Sequence, residues 1–192
     1  MVELDALFVD LISGNEARAE RAALRLGAIG NATLPGLEPL LKHADPDIRW
    51  WAVRTLGEMA DPVIEPLLKR ALADDAAAVQ SCAARALITS PFASLIPDLV
   101  GCLEAGDSLL TRLAGTALAA AGAAAVPALI DVMESGSQRA RLEAVKALAE
   151  IKDPRAIPVF FNAVQEGDSP LVEYWAEIGL DRLGIGMTFF KP

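Results

Sequence analysis

Hydrophobic and polar positions alternate along this chain with a helical period, and the pattern itself recurs about every 31 residues. Its most constant landmark is an alanine followed four positions later by a leucine: Ala22/Leu26, Ala52/Leu56, Ala83/Leu87, Ala114/Leu118, Ala144/Leu148 and Ala176/Leu180. A second landmark is a proline that opens an apolar segment, Pro35, Pro66, Pro97, Pro127 and Pro158, at spacings of 31, 31, 30 and 31. Ten residues after four of these prolines stands Asp45, Asp107, Ser137 or Asp168, and Asp74 and Asp75 lie near the equivalent place after Pro66. Such side chains cap helices by accepting hydrogen bonds from the free amides of the first turn. Each period therefore predicts a proline-started helix, a short turn and a capped second helix.

Six such hairpins fill residues 1–183, with approximate bounds 1–30, 31–60, 61–90, 91–121, 122–152 and 153–183, and a regular repeat from end to end predicts a single array. The first helices are expected over 2–12, 34–43, 62–73, 92–103, 123–133 and 154–164, the second over 16–29, 45–59, 75–88, 107–121, 137–151 and 169–183. In the sixth hairpin the register slips by one at the cap, where Ser169 and Pro170 supply an N-cap and a proline at the first helical position. Residues 184–192 leave the pattern, and their apolar side chains are expected to cap the open end of the last hairpin.

This pattern resembles the HEAT repeat, and more closely the short bacterial HEAT-like repeats also seen in phycobilin lyase subunits. The residues that carry the resemblance are Pro66 in a first helix, Asp45 in a turn, and Ile48, Arg49, Ala52, Leu56 and Gly57 in a second helix, with Arg141, Ala144 and Leu148 matching in the fifth hairpin. The resemblance implies an all-α fold, a right-handed α-α superhelix of six HEAT-like hairpins. It also implies a ladder of arginines bonded to aspartates of neighbouring turns. Ala19, Gln80, Thr111 and Glu173 occupy the arginine position elsewhere, so that ladder is expected to be incomplete.

Composition narrows the function. The chain of 192 residues carries a formal charge of −9, which opposes nucleic acids and anionic membranes as partners. The segment 113–130 has no charged residue, but Gly122 and Pro127 interrupt it and both landmarks run through it, so it reads as parts of two helices rather than a membrane span. Met1-Val2-Glu3-Leu4-Asp5 is acidic where a secretion signal is basic, and Cys82 and Cys102 lack metal-like spacing; both features point to a cytoplasmic protein with reduced thiols.

In arrays of this type the second helices line a concave side where partners lie. Two residues before each landmark alanine stand Glu20, Trp50, Ser81, Arg112, Leu142 and Tyr174. Two residues after it stand Leu24, Arg54, Arg85, Thr116, Lys146 and Ile178. Ten of the twelve arginines fall in second helices, and aromatic and arginine side chains are the usual anchors of protein interfaces. Trp50, Arg54, Arg85, Arg112, Lys146 and Tyr174 are therefore the candidate contact residues for a protein or peptide with an acidic, partly apolar segment. Arg49 has a second reading, as a bond to turn carbonyls or aspartates between hairpins, and Trp51 and Trp175 have one as core.

Candidate chemistry is sparse. His43 is the one histidine, placed at the end of a first helix and away from the concave side, so a Ser-His-Asp or Cys-His arrangement has a single possible base. The HEAT-type iron hydroxylases hold metal with several His-Glu pairs, which one histidine cannot supply. No cofactor or metal is expected. The expected function is a non-enzymatic scaffold; the alternative, from the lyase resemblance, is a lyase-like or chaperone-like protein that holds a tetrapyrrole or its carrier. Self-assembly through the tail or an open terminal face is a third possibility.

Overall fold

The computed structural model describes residues 2–105, 107–165 and 167–185. Among them are twelve α-helices and no strand. They form six hairpins: α1 (Val2–Leu11) with α2 (Glu16–Ile29), α3 (Leu34–Leu40) with α4 (Pro46–Leu56), α5 (Glu65–Leu72) with α6 (Ala77–Thr89), α7 (Ile96–Leu103) with α8 (Ser108–Ala120), α9 (Val126–Ser135) with α10 (Gln138–Ile151), and α11 (Ile157–Gln165) with α12 (Pro170–Arg182). By contact the chain divides into two compact units, residues 1–90 and 91–192, with three hairpins in each.

The two units are built alike. In residues 1–90, α4 lies between α2 and α6; in residues 91–192, α10 lies between α8 and α12. Each first helix packs on the second helix of its own hairpin. The landmark alanines are no more than 1% exposed and their leucine partners no more than 5%. An alanine lets neighbouring backbones approach, and the leucine one turn on fills the space this creates, which is why the pair repeats so strictly.

Proline stands in the first turn of α3, α5, α7, α9 and α11, where its missing N–H leaves nothing unsatisfied. Here the structure corrects the predicted helix starts. Single turns of 3-10 helix, Gly30–Thr33, Pro62–Ile64, Ala93–Leu95, Gly122–Ala124 and Pro154–Ala156, precede the five prolines, where the sequence pattern predicts a linker in the first case and helix in the others. A proline cannot donate into an i→i−4 ladder, so the α-helix restarts at it and the preceding turn closes on i→i−3 bonds.

Caps follow the expectation in most hairpins. Asp45 accepts from the Asp47 amide at 2.9 Å, Asp107 from Leu110 at 2.8 Å and Ser137 from Ala140 at 3.4 Å. The third hairpin departs from it: α6 starts at Ala77, two residues after the expected start, and Asp75 is exposed. Asp74 stands outside that helix and accepts from the Ala76 amide at 2.9 Å. The slip in the sixth hairpin is present, with Ser169 as the N-cap residue and Pro170 in the first turn, while Asp168 accepts from the Ser169 amide at 2.7 Å.

The charge-free segment 113–130 is divided between α8 and α9 by the turn at Gly122, whose φ is +63°. No described helix is long and apolar enough to cross a membrane. At the other end, the Ile185 amide donates to the Leu180 carbonyl at 2.9 Å and closes α12. The expected cap formed by 184–192 rests on residues 186–192, which lie outside the described residues.

Candidate functional site

The second helices present two rows beside their buried alanines, and the six candidate residues occupy them in different ways. In residues 1–90, Trp50 is half-buried and meets Trp51 edge to face, with ring centroids 4.8 Å apart. Arg54 is 9% exposed. Its Nη2 donates to Glu20 Oε1 at 2.6 Å, and its Nη1 donates to Glu58 Oε1 one turn along α4. Burial works against the Arg54 charge, but the two carboxylates outweigh it and raise the guanidinium above its ordinary value. Arg85 is exposed at a cavity of about 260 Å³ that also touches Val53, Arg54, Glu58 and Cys82.

In residues 91–192, Arg112 is exposed on α8 and Tyr174 is 56% exposed on α12. Tyr174 leans edge to face on Trp175 at 5.9 Å, and Trp51 and Trp175 are both half-buried rather than core. Lys146, half-buried on α10, donates to Glu143 at 2.8 Å. Two exposed leucines add to this surface: Leu109 lies three residues before Arg112, and Leu171 three before Tyr174, so each pair shares a helix face.

Arg54 is neutralised inside the protein, whereas Arg85 and Arg112 have no salt-bridge partner among the described residues. The sequence shows which row each side chain occupies, but Glu20 reaches Arg54 from another hairpin, a pairing that residue spacing alone does not reveal.

A second set of polar contacts lies at the turns. Arg49 donates to both Asp74 oxygens at 2.8 Å, to Asp75, and to the His43 and Ala44 carbonyls at 2.9 and 3.1 Å. Of its two readings, the bridge between hairpins is the one the structure contains. Burial pushes the Asp74 carboxyl up, but Arg49 and the Ala76 amide more than offset it and hold it below its usual range. Arg141 and Asp168 form an ion pair between the fifth and sixth hairpins through a single guanidinium nitrogen. Where the arginine is absent, Gln80 donates to the Asp74 carbonyl at 2.6 Å and Thr111 to the Asp107 carbonyl at 2.8 Å. The ladder is thus two arginines long, with local bonds in its gaps.

Sequence reasoning missed a cavity of about 780 Å³, which is lined by Met133, Glu134, Arg141, Asn162, Asp168 and Ser169. The one available signal was the arginine–aspartate pair Arg141 and Asp168, set two residues further apart than Arg49 and Asp74.

Groups with catalytic potential do not converge. His43 is exposed, and its Nδ1 accepts from the Asp45 amide at 3.0 Å. No cluster of three metal-ligating side chains exists among the described residues. Cys82 and Cys102 are buried free thiols, and burial pushes them up to about 12 and about 11.

A repeated helical hairpin stacked through its second helices, with its polar contacts spent on joining neighbours, defines a helical repeat protein. The chain belongs to the HEAT repeat family, whose pattern matches residues 6–88 and 96–181. It is similar to phycocyanobilin lyase subunit beta of Nostoc sp., 33% identical over 88 residues, or 46% of this chain. The match spans 44% of that relative's length. Among solved structures, an engineered protein aligns over 97% of this chain and 98% of its own at 24% identity, with a TM-score of 0.53. A designed armadillo repeat protein in complex with the peptide (KR)4 aligns over 94% of this chain and 99% of its own at 19% identity, with a TM-score of 0.55.

Proposed function

We propose that the chain is a non-enzymatic, cytoplasmic scaffold that binds a protein or peptide segment along the outer face of its second helices. One observation carries this reading: in residues 91–192, exposed Arg112 and Tyr174 stand with exposed Leu109 and Leu171 on helices that pack against α10. Large apolar area beside an uncommitted guanidinium suits a segment that is acidic and partly apolar. In residues 1–90, Trp50 and Arg85 supply the same two kinds of contact, while Arg54 serves to hold α4 to α2. The designed armadillo relative holds a basic peptide; the free cations on this face point to the opposite charge in the partner.

The test is a titration with three peptides of equal length: acidic with interspersed leucines, neutral, and (KR)4. The acidic peptide should bind best, and Arg112→Glu with Tyr174→Ala should weaken it about tenfold or more. Preference for (KR)4 would reject the acidic partner, and equal binding by the double variant would reject the face.

A second reading rests on the lyase relative: the same surface receives a tetrapyrrole or the protein that carries one. Adding a free bilin and following its visible absorption separates the two. A red-shifted, stoichiometric complex favours the tetrapyrrole reading, and an unchanged spectrum favours the peptide.

A further inference from the structure

The flanks by which hairpins stack are chemically distinct from the outer face, and their end members differ from all the rest. A side chain added at Gly27, five residues after its alanine, would meet Glu58 of the next hairpin; one at Gly57 would meet Ala86, and one at Gly115 would meet Glu143. Positions one and five after the alanine thus face the following hairpin. Positions such as three after and one before face the preceding hairpin.

On the following flank, the position one after the alanine is buried in the first five hairpins, as Ala23, Val53, Ala84, Gly115 and Val145. In the sixth it is Glu177. Five after, the residues are Gly27, Gly57, Ile88, Ala119 and Ala149, then Asp181; three before, the sixth hairpin has Glu173. Glu173, Glu177 and Asp181 follow one another at four-residue spacing, so they form one acidic stripe on α12. None has a salt-bridge partner among the described residues.

The preceding flank shows the mirror case. Four before the alanine stand Ile48, Val79, Leu110, Ala140 and Val172 in the later hairpins, but Arg18 in the first. Three after stand Thr55, Ala86, Ala117, Ala147 and Gly179, all buried, but Arg25 in the first, where it is exposed. One before, the first hairpin has Arg21, also exposed. Arg18, Arg21 and Arg25 therefore form one basic stripe on α2.

Solubility alone asks only that the end hairpins be polar, not that their charges have opposite sign. We propose that the acidic flank of α12 in one copy docks on the basic flank of α2 in a second copy, head to tail, at the positions hairpins use to stack within the chain. Arg18 and Arg25 already pair with Asp10 and Glu3 of α1, but these are exposed pairs that exchange partners at little expense. Arg21 has no salt-bridge partner among the described residues and is the first group available to an incoming carboxylate. A head-to-tail contact leaves one flank open at each end, so assembly continues beyond a dimer unless a ring closes.

The experiment is sedimentation velocity over a range of protein concentrations at about 20 and about 500 mM salt, where the Debye length differs several-fold. The mean mass should rise above 20.2 kDa with concentration in low salt and return to it in high salt. Arg21→Glu and Glu177→Lys, each with unchanged helicity, should weaken association several-fold, up to about tenfold. Mixed in equal amounts, these two variants should regain association, since each then offers the flank the other has lost. Asp181→Lys, at an exposed position, replaces Glu177→Lys if that variant misfolds. The proposal is overturned by a wild type that stays at 20.2 kDa throughout, by association that neither variant weakens, or by a mixture no stronger than its components.

Discussion

Adding one methyl group tests how tightly neighbouring hairpins stack, and three glycines make a graded series. At Gly27 in α2, a new Cβ would lie 2.4 Å from Glu58 Cβ and 3.2 Å from the Thr55 carbonyl oxygen, closer than atoms can stand without movement. At Gly115 in α8 it would lie 3.0 Å from Glu143 Cβ, and at Gly101 in α7 it would meet nothing within 4 Å. Alanine favours a helix over glycine by about 1 kcal/mol, whereas overpacking costs about 1–3 kcal/mol. Gly101→Ala should therefore stabilise by about 0.5–1 kcal/mol, Gly115→Ala should fall near zero, and Gly27→Ala should destabilise by about 1–2 kcal/mol. Urea unfolding followed by circular dichroism reads this order directly from the midpoints, provided the slope is unchanged. A Gly27→Ala midpoint at or above wild type, or a loss in Gly101→Ala as large as in Gly27→Ala, would show that direct stacking of α4 on α2 does not limit this position.

Three further outcomes follow from the same geometry. Leu118→Ala empties a fully buried position and should cost about 2–5 kcal/mol, while Leu24→Ala, at an exposed one, should change the urea midpoint by little. Asp61, Asp74 and Glu104 are held below their ordinary values of 3.8, 3.8 and 4.5, and Asp153 is held at about 2, chiefly by its Arg155 partner. Groups lowered on folding stabilise fully above their unfolded values, so acid titration should leave the urea midpoint flat above about pH 5 and lower it progressively toward pH 2, with a shallower fall in Asp74→Asn. Because burial pushes Cys82 and Cys102 up to about 12 and about 11, a thiol reagent at pH 8 should label them far more slowly in the folded protein than in urea; labelling within the mixing time would place at least one at the surface.

The parts of the fold that were legible in the sequence are those set by local periodicity. The alanine–leucine pairs identified the core of every second helix, and the prolines marked the start of five first helices. The 3-10 turns before those prolines were not legible, because Pro62, Ala93 and Pro154 satisfy a helical pattern as well as they satisfy a tighter turn. Asp75 looked like a cap as much as Asp74 did; Arg49, which comes from another hairpin, draws both carboxylates toward it, and Asp74 reaches only the Ala76 amide, one residue short of the helix. The same limit applies to the candidate surface. Row assignment identified Arg112 and Tyr174 as outward-facing, whereas the burial of Arg54 depends on Glu20, 34 residues away. The cavity beside Arg141 is lined from α9, α10, α11 and the turn before α12, a convergence that residue spacing does not encode.

Within each of the two units, every substantial packing contact joins helices of the same or the next hairpin. For a chain emerging from the ribosome, this means that no helix must wait for a distant segment before it can dock. α2 meets α4 after about one more repeat has been synthesised, and α8 meets α10 in the same way. Contacts of such short range favour rapid folding and limit how long apolar faces stay uncovered. A chain this rich in alanine and leucine can thus be completed from its N-terminus onward, one hairpin at a time, with only the newest apolar face exposed to the crowded cell.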